Sequence, residues 1–102
     1  MSELVKFCEP SELPSEGRAK EFEVAGRLLC VARSEGVLCA TDNECPHRGG
    51  PLGQGLVEAG KILCPWHGWA FDLKTGEAVH NPQAKVKMYP VSSREDGGYV
   101  EI

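Results

Sequence analysis

Four side chains in this sequence have the types and spacing to hold a metal. Cys45-Pro46-His47-Arg48-Gly49-Gly50-Pro51-Leu52 supplies one thiol and one imidazole, and Cys64-Pro65-Trp66-His67-Gly68-Trp69 supplies a second pair. One residue separates Cys45 from His47, two separate Cys64 from His67, and sixteen lie between His47 and Cys64. Such short spacings, on Gly- and Pro-rich segments that read as loops, let both side chains of a pair converge on one centre. Thiolates favour zinc, copper(I) or iron–sulfur clusters, and imidazole suits zinc and iron. A mononuclear zinc site is therefore a real competitor, although zinc modules usually show Cys-x(2–4)-Cys followed by His-x(3–5)-His. Here each segment carries one ligand of each type.

The rest of the chain reads as a scaffold for these two loops. Its periodicity is short and close to two, broken often by Gly, Pro, Asn and Asp, with no long helical stripe. Residues 4–8 are expected to form a first strand, followed by a loop over 9–14 with room for one helical turn. Residues 20–24 alternate, with Phe22 and Val24 inward and Glu21 and Glu23 outward. Ala25-Gly26, Ser34-Glu35-Gly36 and Ala59-Gly60 are tight links between strand runs at 27–33, 37–41, 56–58 and 61–63, which are hairpin signals. After the second loop, Ala70-Phe71-Asp72 leads into a turn over 73–76 and then Glu77-Ala78-Val79. Residues 80–83 read as a loop, because a residue before proline is pushed away from helix. Alternation returns over 85–89 and in a last strand at 99–102. Many short strands at close spacing predict one all-β domain, an antiparallel sandwich or barrel.

Composition narrows the class. A chain of 102 residues is one domain of common size, and its 41% hydrophobic and 25% charged residues are those of a globular protein. No apolar run approaches the roughly 20 residues needed to cross a bilayer, and the first residues show no basic n-region or apolar h-region. A cytoplasmic setting is the expectation. The net charge of −4 argues against nucleic acid and fits docking on a partner's basic patch, or solubility alone. Cys8, Cys30 and Cys39, outside the paired loops, read as reduced structural thiols.

The interleaved order Cys-x-His, sixteen residues, Cys-x-x-His resembles the Rieske family of [2Fe–2S] proteins. The likeness continues through Gly49-Gly50-Pro51-Leu52 and Gly68-Trp69-x-Phe71-Asp72, while the other strands fit in order and length without specific motifs. It implies a Rieske-like all-β fold over residues 1–102, with a small cluster-binding subdomain at about 43–72 inserted in the β scaffold. It also implies one [2Fe–2S] cluster, with Cys45 and Cys64 on one iron and His47 and His67 on the other, the imidazoles at the tip. Around the ligands, Gly49, Gly50 and Gly68 would let backbone N–H groups aim at the sulfides, and Pro46, Pro51 and Pro65 would stiffen the loops. Leu52, Trp66 and Trp69 would keep water from the cysteine-bound iron, or simply pack the loops. Asp72 reads as a scaffold residue. Arg48 and His80 read as solvated.

High-potential members of the family carry an extra cysteine in each loop, joined across the cluster, and a serine and a tyrosine whose hydroxyls bond the sulfurs. Gly50, Trp66, Trp69 and Phe71 stand at those positions here, and none supplies a thiol or an O–H. The resemblance therefore implies the lower part of a potential range of roughly −150 to +300 mV.

A domain with these motifs and no second metal domain is expected to carry single electrons rather than catalyse a reaction. The resemblance implies a free-standing ferredoxin, a monomer taking electrons from an NAD(P)H-dependent flavoprotein reductase and passing them to a terminal oxygenase. The alternatives are the Rieske-containing small subunit of a nitrite reductase-type complex, held by a sirohaem subunit, and a zinc-stabilised interaction module.

Overall fold

The computed structural model describes residues 3–46, 49–66, 68–81 and 83–102. Among these residues ten strands form three antiparallel sheets, and there is no α-helix. One sheet has the order β1 (Leu4–Cys8), β10 (Gly97–Glu101), β9 (Val91–Arg94). The second runs β2 (Arg18–Val24), β3 (Arg27–Ser34), β4 (Val37–Asp42), β8 (Met88–Tyr89). The third contains β5 (Leu56–Glu58), β6 (Lys61–Leu63) and β7 (Ala70–Asp72), with β5 and β6 between the two Cys/His loops and β7 directly after the second. Two single 3-10 turns, Pro10–Glu12 and Leu52–Gln54, complete the regular structure.

Strand β3 is the centre of the packing. Leu29, Cys30, Val31 and Ala32 are all fully buried, which is why this strand reads as an apolar run rather than an alternation. Leu29 and Val31 join Val24, Ala40, Tyr89 and Val100 in one core. Cys30 and Ala32 point the other way and join Cys45, Cys64, Leu52, Ile62 and Phe71 in a second. The middle sheet thus has no solvent face at residues 29–32 of β3. Each large apolar side chain buried in this way contributes roughly 1.5–3 kcal/mol.

The expected hairpins form where Gly-containing links stand. Ala25-Gly26 (φ 50° and 80°), Glu35-Gly36 (55° and 78°) and Ala59-Gly60 (50° and 78°) each have positive φ at both residues, the type I′ pattern that matches strand twist. Other expectations need correction. The run 85–89 pairs as a strand only at Met88–Tyr89, because Val86 N–H donates to the Gly76 carbonyl (2.9 Å) instead of to a neighbouring strand. Residues 77–79 make isolated bridges, Phe71 to Ala78 and Glu77 to Lys85, and no strand of their own. Strand β9 was not expected; its Val91-Ser92-Ser93-Arg94 is too polar to show alternation. Glu21 does not point outward into solvent. It lies opposite Cys30 in the β2–β3 ladder, so it faces the loop side of the sheet and is partly buried. No helix among the described residues is long and apolar enough to cross a membrane.

Candidate metal centre

The two cysteines of the paired motifs meet. Cys45 and Cys64 are 1% and 2% exposed and sit in the same core, walled by Leu52, Ile62 and Phe71. Their side chains are close enough to influence each other, and neither is in a disulfide. Burial pushes the Cys64 thiol above its ordinary range, the Trp66 backbone N–H aimed at it pulls the other way, and contact with Cys45 raises it further. Two soft, buried donors brought together against an apolar wall, with a backbone donor at one sulfur, fit a thiolate-bound iron. His47, Arg48 and His67 lie outside the described residues. The described part of the centre therefore consists of the thiol pair and its supports.

The two loops are built alike. Cys45 N–H donates to the carbonyl of Gly50 (2.9 Å), and Cys64 N–H donates to the carbonyl of Trp69 (2.7 Å). In both, the cysteine closes on the residue five positions later, a proline follows it, and a positive-φ glycine stands four positions later. Those glycines are Gly49 (φ 76°) and Gly68 (φ 66°). Only glycine reaches this left-handed region without strain. Gly50 has a different reason to be glycine: a β-carbon there would stand 2.6 Å from Cys64 Sγ. The unequal spacing to histidine, +2 in one loop and +3 in the other, hides this equivalence in the sequence.

The other predicted neighbours separate. Leu52 is fully buried, and Trp69 packs against the same core with its ring centroid 6.3 Å from that of Phe71. Trp66 is 50% exposed, so it does not seal the site; the base of its side chain lies beside Gly50 while the ring meets solvent. Pro46 and Pro65 are exposed and Pro51 is partly so. The Gly49 N–H donates to the Cys45 carbonyl (2.7 Å), a bond within the first loop. Asp72 accepts from the Lys74 N–H (2.7 Å) and so shapes the turn after β7 rather than the second loop itself. His80 is exposed. Cys8, Cys30 and Cys39 are free thiols; burial raises all three, Cys30 to about 12.

Two further supports carry no signal in the sequence. Asn43 is 4% exposed and hydrogen-bonded on every side, and Glu21 is one of its partners. A lone asparagine before a cysteine looks like any turn residue, so no signal marked it. Tyr89 donates its hydroxyl to Asp42, at the end of the strand leading into the first loop, and receives Arg27 (3.4 Å). Beside this loop opens a groove of about 900 Å³ lined by Glu21, Arg27, Leu28, Asp42, Glu44 and Pro46, among others.

Residues 3–90 match the Rieske [2Fe-2S] domain family. The ferredoxin component of the naphthalene 1,2-dioxygenase system of Pseudomonas putida is 38% identical over 90 residues, covering 85% of this chain and 86% of that protein. Apoptosis-inducing factor 3 of Mus musculus is 30% identical over 95 residues, 85% of this chain. This chain spans only 16% of that relative, and 24% of the cholesterol 7-desaturase of Caenorhabditis elegans. Among solved structures, the ferredoxin of carbazole 1,9a-dioxygenase from Nocardioides aromaticivorans IC177 superposes with a TM-score of 0.82 at 26% identity, over 96% of this chain and 95% of that one. A Mycobacterium tuberculosis protein assigned as an NADH-dependent nitrite reductase small subunit shares the fold, with a TM-score of 0.87 at 22% identity over 100% and 96%. Twin loops that bring two buried thiols together, on a fold shared with ferredoxins along nearly the whole chain, leave one conclusion: the chain belongs to the Rieske [2Fe-2S] domain family and holds one cluster of that type.

Proposed function

We propose that this domain is a one-electron carrier of the Rieske ferredoxin type, with Cys45 and Cys64 on one iron and His47 and His67 on the other. The observation that carries the reading is the thiol pair. Cys45 and Cys64 are buried together, free of a disulfide, at matching positions of two loops closed in the same way. Such a cluster supplies a one-electron couple whose potential is set by ligands, hydrogen bonds to sulfur and solvent access. The chain's part is to hold the loops rigid, through Pro46, Pro65 and the two loop-closing bonds, and to dry the thiol side with Leu52, Ile62 and Phe71.

The partners follow from the same resemblance. A terminal oxygenase as acceptor fits a chain whose 38%-identical relative is named as the ferredoxin component of a dioxygenase system, and the donor in this reading is a flavoprotein reductase. The groove beside the first loop, with Glu21, Asp42 and Glu44 on its walls, offers negative charge to a partner's basic surface. The nitrite reductase small-subunit reading draws on likeness of fold alone.

Iron, sulfide and zinc analysis with EPR of the reduced protein tests the centre. Two irons and two sulfides per chain with a histidine-ligated [2Fe–2S] signal are expected from the Rieske chemistry. His67→Ala should abolish that signal, and His80→Ala should leave it intact. A colourless protein with one zinc would overturn the reading. Rapid, salt-sensitive reduction by a flavoprotein reductase supports the ferredoxin role, and stable co-purification with a sirohaem subunit supports the other.

A further inference from the structure

We propose that the side-chain pair Glu21–Asn43 is a clamp that positions the first ligand loop, and with it the Cys45 thiol, relative to the β scaffold. The proposal rests on the Rieske reading of Cys45 given above.

Asn43 lies two residues before Cys45 and uses every polar group it has. Its N–H donates to the Leu28 carbonyl (3.1 Å), and its own carbonyl accepts from Leu52 N–H (2.7 Å). Its side-chain Oδ1 accepts from Gly53 N–H (2.7 Å), and Nδ2 donates to Glu21 Oε2 (2.6 Å). Leu28 belongs to β3 and Glu21 to β2, while Leu52 and Gly53 follow the loop. One buried residue thus ties the entrance of the loop to its exit and both to the scaffold. Inside that tie come the Glu44–Pro51 bridge and then the Cys45–Gly50 bond, so Asn43 is the outer rung of a short ladder that ends at the thiol.

The direction of the amide is determined by its neighbours. A backbone N–H can only donate and an ionised carboxylate can only accept, so Oδ1 must face Gly53 and Nδ2 must face Glu21. The second Glu21 oxygen accepts from Gln54 Nε2 (3.2 Å), which holds the carboxylate in place. There is no slack: a β-carbon on Gly53 would stand 2.4 Å from Glu21 Cγ and 2.7 Å from Asn43 Oδ1. Asn43→Asp keeps the shape but sets two carboxylates against each other. Adding Glu21→Gln restores a donor–acceptor pair with its direction reversed and returns the net charge to that of the wild type.

The test compares holoprotein of the wild type, Asn43→Asp and the Glu21→Gln/Asn43→Asp double variant. Three quantities are read: the lifetime of the iron–sulfide chromophore under chelator, the EPR line shape of the reduced protein, and deuterium exchange at the Leu52 and Gly53 amides. Asn43→Asp should lose the chromophore about tenfold faster, with a shifted line shape and about tenfold faster exchange at both amides. The double variant should return all three to within about threefold of wild type. An unchanged lifetime and line shape in Asn43→Asp would overturn the proposal, even with a lowered melting temperature. So would a double variant with no recovery. If the wild type binds no iron and sulfide, the Rieske reading itself fails. In that case the proposal about Cys45 at a cluster falls with it, and the amide exchange shows whether the Asn43 tie is intact.

Discussion

Gly50 and Trp66 face each other across the two ligand loops: a β-carbon on Gly50 would stand 3.2 Å from the Cβ of Trp66. These are the positions where high-potential relatives are expected to carry their bridging cysteines. A disulfide needs Cβ atoms roughly 3.5–4.5 Å apart, and the same β-carbon would stand 2.6 Å from Cys64 Sγ, so a bridge here requires the two loops to part. Gly50→Cys/Trp66→Cys should crosslink on mild oxidation as the loops part, and the strain against Cys64 should hold the gain below the roughly 3 kcal/mol of an unstrained loop of about 15 residues. Free-thiol counting and melting with and without reductant measure it. Two persistent extra thiols would show that the loops do not face as described.

Trp69 and Phe71 leave the sulfurs without side-chain O–H donors from the second loop. Trp69→Ser/Phe71→Tyr should raise the reduction potential, because a hydrogen bond to sulfur stabilises the reduced, more negative cluster. The expected cost is about 1–3 kcal/mol, since Phe71 is fully buried and an added hydroxyl must fit a packed core. Redox titration followed by circular dichroism decides it; a constant or lower potential refutes the explanation by missing hydroxyls.

Tyr89 gives the fold an alkaline limit. Burial, and then its hydrogen bond to Asp42, raises the phenol above its usual value, while Arg27 pulls slightly the other way. A folded-state value above the unfolded one means the stabilisation is present below the unfolded pKa of about 10 and is lost as pH rises through the folded value. Tyr89→Phe should cost about 1 kcal/mol near neutrality and flatten the loss of stability above about pH 10. Urea unfolding across that range checks both; parallel curves for the two proteins would contradict it.

Ala59 sits at φ 50° in the hairpin joining β5 and β6. Left-handed conformations are unfavourable for alanine by about 1–2 kcal/mol and are tolerated by asparagine. Ala59→Asn should raise stability by about 0.5–1 kcal/mol, seen as a higher melting temperature with the visible spectrum unchanged.

The parts of the fold that could be read from the sequence are those governed by local chemistry. Gly26, Gly36 and Gly60 at the tips of alternating runs marked three hairpins because the turn needs positive φ there. The cysteines were legible for the same reason, being short-range patterns of unusual side chains. Glu21 was misjudged because alternation along β2 assigns two faces without saying that solvent is absent from one. Strand β9 was hidden because Ser92 and Ser93 belong to a sheet whose pairing partner, β10, supplies the order. Asn43 was invisible because its four partners come from positions 21, 28, 52 and 53, distances in sequence that no motif spans.

Strand β3 also limits how this protein can be cut. A peptide of residues 43–72 would keep both cysteines, both histidines and the third sheet. It would lose Cys30, Ala32 and Val86, which belong to the same buried core as the two thiols. A miniature cluster-binding module therefore cannot be obtained by excision; the thiol pair and its frame share one core, and a transplant must bring that core with it.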